Sequence, residues 1–196
     1  LSVNHDIFIG DLSGQNNTYG CNNIFVGCRS GYCNTTGRHN ISIGEFTYGA
    51  TTGNGNFLGG YSAGYANGDG MHDSSYNNFI GWYAGGVLDQ GNSYCNNFIG
   101  FCAGGQNYNS CNNNFFGSCA GYFNIGNNNN FFGTYSGYCN TTGSYNVFFG
   151  RNTGLGNTSG SYNLTLGDNA GVSGSSGSQN VTIGYNSNVP ILNGSN

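Results

Sequence analysis

A glycine that closes a short apolar run returns every 16 to 21 residues along this chain, at Gly10, Gly27, Gly44, Gly60, Gly81, Gly100, Gly117, Gly133, Gly150, Gly167 and Gly184. Four residues before it stands an asparagine in ten of the eleven repeats: Asn23, Asn40, Asn56, Asn77, Asn96, Asn113, Asn129, Asn146, Asn163 and Asn180. The first repeat has Asp6 there instead. Three residues after the glycine comes a small residue, such as Ala84 or Ser136, and a second glycine follows, such as Gly85 or Gly137. The third repeat slips by one, with Tyr48 before Gly49. Units this short, with two glycine turns and no helical period, cannot bury an apolar face alone and must stack. The spacing predicts an all-β chain, a β-solenoid or β-roll of about eleven coils with a ~17-residue repeat. Residues 1–188 form that repeat domain, and 189–196, with Pro190, form a C-terminal tail. Coils rising ~4.8 Å each give a rod of roughly 50 Å.

In such a stack the ten asparagines are expected to form a ladder, each amide bonding its neighbours above and below. The glycines supply positive φ at the corners. Composition agrees with a rigid repeat rather than a disordered polar chain: 38 of 196 residues are Gly, but 15% are aromatic.

Asparagine, an alternating apolar triplet, glycine and a small residue, repeated with NTTG turns at 34–37 and 140–143, resemble the left-handed β-roll heads of trimeric autotransporter adhesins. They also resemble the NTTG-type repeats of phage and large-virus fibres. The resemblance covers nearly the whole chain. It implies a β-roll, a homotrimer, and a surface role. This repeat is about three residues longer than the usual adhesin-head unit, and the chain is richer in Cys and Phe.

Both of the two positions before the first glycine are apolar in most repeats, as in Phe98 and Ile99, and alternation sends them to opposite faces. One row fills the coil. The other makes an outward stripe longer than a soluble monomer usually shows, so another copy is expected to cover it. The row of Phe25, Phe79, Phe98, Phe115, Phe131 and Phe148 is assigned to that inter-subunit face; the opposite parity would put Ile99 and Phe116 there. A wider triangular coil with aromatics packed beside turns is the competing arrangement. The repeat runs almost to both ends without a charged cap, so the chain reads as a fragment of a longer repeat or as a subunit that stacks end to end.

Eight cysteines without CxxC spacing point to disulfides and an oxidising compartment rather than zinc. Cys102 and Cys119 occupy the same place in successive coils. Cys95 and Cys111 are offset by one, and Cys21 and Cys28 share a repeat. Cys33 and Cys139 share the GYCNTTG context six coils apart, which suits an inter-subunit bond or two thiols. Of the sequons, Asn34, Asn140 and Asn157 fall in turns and are the glycosylation candidates.

Only 5% of residues are charged, and Arg29, Arg38 and Arg151 form no basic patch, so nucleic acid is not an expected partner. No apolar run reaches the ~20 residues of a membrane helix, and the first residues do not read as a secretory leader. Asp69, His72 and Asp73, with Asp89 in the next insert, are read as solvated loop rather than as a metal site. No cofactor, metal or catalytic residue is expected, and the chain does not read as an enzyme. The expected role is a self-assembling, disulfide-stabilised fibre subunit on a cell or virion surface or outside the cell. The alternative is a glycan- or surface-binding adhesin head, with Trp82 and exposed tyrosines stacking on sugars. Ice binding needs a flat threonine array, and only Thr165 and Thr182 align.

Overall fold

The computed structural model describes residues 4–47, 52–65, 73–86, 93–107, 109–171 and 176–188. Eleven three-residue strands follow one another in chain order: β1 (Ile7–Ile9), β2 (Ile24–Val26), β3 (Ile41–Ile43), β4 (Phe57–Gly59), β5 (Asn78–Ile80), β6 (Asn97–Ile99), β7 (Asn114–Phe116), β8 (Asn130–Phe132), β9 (Val147–Phe149), β10 (Leu164–Leu166) and β11 (Val181–Ile183). They make one parallel sheet in the order of the sequence, with equivalent residues in register, for example Phe98 beside Phe115. The chain is therefore a β-solenoid. Tyr48, Gly49 and the tail at 189–196 lie outside the described residues.

The strands are short because the glycine after each one adopts φ between 121° and 146°, a region only glycine enters freely. From Gly10 to Gly167, a Cβ at this position would lie 2.3–2.7 Å from a glycine carbonyl oxygen in the next coil. This glycine therefore ends the strand and also sets how closely coils stack.

The middle residue of each strand points inward. Phe79, Phe98, Phe115, Phe131 and Phe148 are fully buried and stacked nearly parallel, with centroids 4.7–4.9 Å apart. Phe25 is equally buried. The assignment of these six phenylalanines to an inter-subunit face is thus overturned; they are the core. The reason is the second glycine. A Cβ at Gly85 would sit 2.3 Å from the Phe79 ring, and one at Gly104 2.5 Å from Phe98. Only the glycine side of the coil has room for a ring. Where the column lacks Phe, at Ser42, Ser42 Oγ donates to Thr47 Oγ1 (2.6 Å), which donates to Ser30 Oγ (3.0 Å), so the buried hydroxyls satisfy one another. Thr165 and Thr182 belong to this inner column and are buried, not displayed.

The asparagine ladder is present, with a different bonding pattern from the one expected. Asn96 Oδ1 accepts the backbone N–H of Asn113 (3.0 Å), and Asn96 Nδ2 donates to the Ser110 carbonyl (2.9 Å). The same pair of bonds recurs from Asn23 to Asn163, as in Asn146 with Asn163 N–H (2.9 Å) and the Gly160 carbonyl (2.8 Å). Direct amide-to-amide bonds join only some neighbours, such as Asn77 Nδ2 to Asn56 Oδ1 (3.2 Å). Each side chain thus ties its coil to the backbone of the next. Asp6 starts the ladder by accepting the Asn23 N–H at 2.7 Å.

Candidate self-association surfaces

With the middle residue inward, the first and third residues of every strand face out. The third residues run Ile, Val, Ile, Gly, Ile, Ile, Phe, Phe, Phe, Leu, Ile from β1 to β11. The first residues are apolar in β1–β4, asparagine in β5–β8, and apolar again in β9–β11. Neither column contains a charged residue. The four asparagines are themselves chained, Asn78 to Asn97, Asn97 to Asn114 and Asn114 to Asn130, each Nδ2 donating to the next Oδ1 at 2.7 Å. This outer ladder was not read from the sequence, although its recurrence one place after the inner one was visible there. The outward apolar row is therefore the one containing Ile99 and Phe116.

Among the described residues, nothing covers the outer edge of either terminal coil. Phe8 stacks on Phe25 at 5.1 Å yet remains 39% exposed, whereas Phe25 is fully buried. In β10 the Leu164 N–H donates to the Asn180 carbonyl one coil further on (2.9 Å). Val181, its equivalent in β11, has no further strand beyond it among the described residues. A Cβ at Gly184 would meet only Ser187, at 3.8 Å.

The residues just after the first glycine form a third surface at mid-length. Tyr61, Trp82 and Phe101 are exposed, with ring centroids 4.8 and 6.5 Å apart and successive rings tilted by 43°.

All eight cysteines are thiols, with no disulfide joining them. Cys102 and Cys119 are stacked neighbours, as expected. In-register stacking sets them about one strand spacing apart, ~4.8 Å, yet no bond joins their sulfurs. Burial and the neighbouring Cys119 push the Cys102 thiol pKa up. Cys111 is level with Tyr94, so Cys95 is offset from it. Cys21 and Cys28 flank opposite ends of β2, about 10 Å of strand apart. None of the three proposed pairs is formed. Cys33 and Cys139 occupy equivalent places in coils six repeats apart, so they can meet only between copies.

The glycosylation candidates are also corrected. Asn34 and Asn140 are fully buried, and Asn157 nearly so. They belong to a second inner ladder, in which Asn34 Nδ2 donates to Asn17 Oδ1 (2.7 Å) and Asn157 Nδ2 to Asn140 Oδ1 (2.6 Å). A glycan cannot replace a buried donor of this kind. Asp69, His72 and Asp89 lie outside the described residues; Asp73 is exposed and accepts a hydrogen bond from Thr52. Among the described residues, no group of three or more His, Cys, Asp or Glu stands together, and no helix is long and apolar enough to cross a membrane. No protein family, curated protein or solved structure matches this chain.

Proposed function

We propose that the chain is a structural subunit of an extracellular or surface fibre, extended by stacking its terminal coils on further copies. The Gly184 coil, uncovered among the described residues, carries this reading. It keeps the glycine, the positive φ of 124° and the exposed strand that every interior coil uses to receive a neighbour. A net charge of −4 over 196 residues offers little repulsion against that docking.

Electron microscopy of purified protein tests the reading. Filaments are expected, with an axial repeat of roughly eleven strand spacings of ~4.8 Å. Gly184→Ala puts a Cβ where the next coil must sit, and Val181→Pro removes the N–H that would bond it. Both variants should shorten or abolish filaments while leaving the chain folded and β-rich by circular dichroism. Discrete particles from the unmodified chain, unchanged by either variant, would overturn the reading.

A second reading, glycan adhesion, is favoured by the exposed Tyr61, Trp82 and Phe101 ridge, since aromatic faces spaced along a rod suit stacking against successive sugar rings. Glycan-array binding that is lost in Trp82→Ala, with assembly unchanged, would establish it.

A further inference from the structure

We infer that the outward sheet face pairs two copies of this chain face to face, coil axes antiparallel, about a two-fold axis that runs parallel to the strands between β6 and β7. Such an axis sets β6 opposite β7, β5 opposite β8, β4 opposite β9, β3 opposite β10 and β2 opposite β11. It also keeps first residues opposite first residues and third opposite third. A two-fold interface must be self-complementary, because the same patch serves both partners.

The face meets that condition at both columns. In the first-residue column every asparagine strand meets an asparagine strand, as Asn97 meets Asn114, and every apolar strand meets an apolar one, as Phe57 meets Val147 and Ile24 meets Val181. The third-residue column adds shape. Phe149 of β9 stands proud at 59% exposure. The residue set opposite it is Gly59 of β4, the one position in the column without a side chain. A Cβ there would touch only the Phe57 ring, at 3.7 Å, so the notch opens outward. The two-fold places a Phe149 knob in a Gly59 notch twice, once on each side of the axis.

Packing with coil axes parallel, β4 beside β4, reverses the strands, so Gly59 would face Phe57 and Phe149 would face Val147, and no notch would receive a knob. The overlapping ten strands span about 48 Å by about 10 Å, which buries roughly 1,000 Å² over the two copies, at the threshold of a specific interface. No charge opposes it, since neither column contains one.

This inference deepens the fibre reading by naming its lateral contact, and the test separates the two. Sedimentation is run on the Gly184→Ala chain, where end-to-end growth is blocked. A dimer is expected. Phe57→Glu combined with Val147→Glu sets like charges opposite each other and should weaken dimerisation at least tenfold. Phe57→Glu combined with Val147→Lys sets opposite charges face to face only in the antiparallel register and should retain the dimer. These two positions are five strands apart within one chain, so they do not pair internally. Circular dichroism confirms folding of each variant. A monomer or a trimer in the Gly184→Ala chain, or equal loss in the two double variants, would overturn the pairing. Filaments persisting in Gly184→Ala would instead count against the end-to-end reading alone.

Discussion

Twenty-one non-glycine residues among those described hold positive φ, between 51° and 61°, and none of them is Val, Ile or Thr. Left-handed backbone costs an L-residue ~1–2 kcal/mol, and branching at Cβ raises the cost. The repeat places one such residue two after each first glycine and, from the second repeat onward and save for Gly55, another five before it, and there it accepts Tyr, Phe, Leu, His, Cys, Ser, Asn, Gln or Arg. Asn112, exposed at φ 59°, isolates the effect. Asn112→Val should lower stability by about 1–2 kcal/mol, and Asn112→Gly should stay within about 1 kcal/mol of the parent, since strain relief and unfolded-state entropy offset. Chemical denaturation of the two variants checks this. The thiols make a second residue-scale prediction. Cys95 is exposed, whereas Cys102 is half-buried with its pKa raised. Near pH 8 a raised pKa means less thiolate, so iodoacetamide should modify Cys95 before Cys102, as peptide mass spectrometry would show.

At the scale of one coil, the middle and outer positions of a strand have different jobs. Phe115 is stacked on both sides inside the rod, so Phe115→Ala should cost about 3–5 kcal/mol. Phe116→Ala, next to it on the outer face, should cost less in thermal melts but weaken self-association. The coil was legible in the sequence because its period is marked by residues with one physical role: Gly117 where no Cβ fits, and Asn113 whose amide must bond two backbone groups of the next coil. Parity was not legible from the strand, because Phe115 and Phe116 are both large and apolar. The deciding residue, Gly121, lies outside the strand; its missing Cβ leaves room for the Phe115 ring. Asn34 and Asn140 were misplaced for a related reason. An NTTG turn reads as exposed, yet here its asparagine points inward to bond the turn glycine, Asn140 Nδ2 donating to the Gly143 carbonyl at 2.8 Å.

For the whole molecule, contacts run almost entirely between adjacent coils, so stability should be nearly a sum over units and interfaces. Deleting residues 130–146, one complete repeat, would join Asn129 to Val147 and bring β7 beside β9, Phe115 on Phe148. At ~0.05–0.15 kcal/mol per residue, the shortened rod should lose about 1–3 kcal/mol and still unfold cooperatively in calorimetry. Removing a half-repeat should instead abolish folding. The uneven repeat lengths have a further consequence. Between β4 and β5, and again between β5 and β6, the chain carries more residues than a regular coil, yet Leu58, Phe79 and Phe98 stay level. The described residues on either side keep register, Gly64 with Ala84 and Ser75 with Tyr94, so the surplus falls between them, and that stretch tolerates changes in length that the rest of the circuit does not. A foreign peptide spliced in between 66 and 72 should therefore ride on the rod without disturbing it. Repeated in successive coils, such grafts would present copies at strand-spacing intervals, a density of display that few scaffolds built from separate domains can reach.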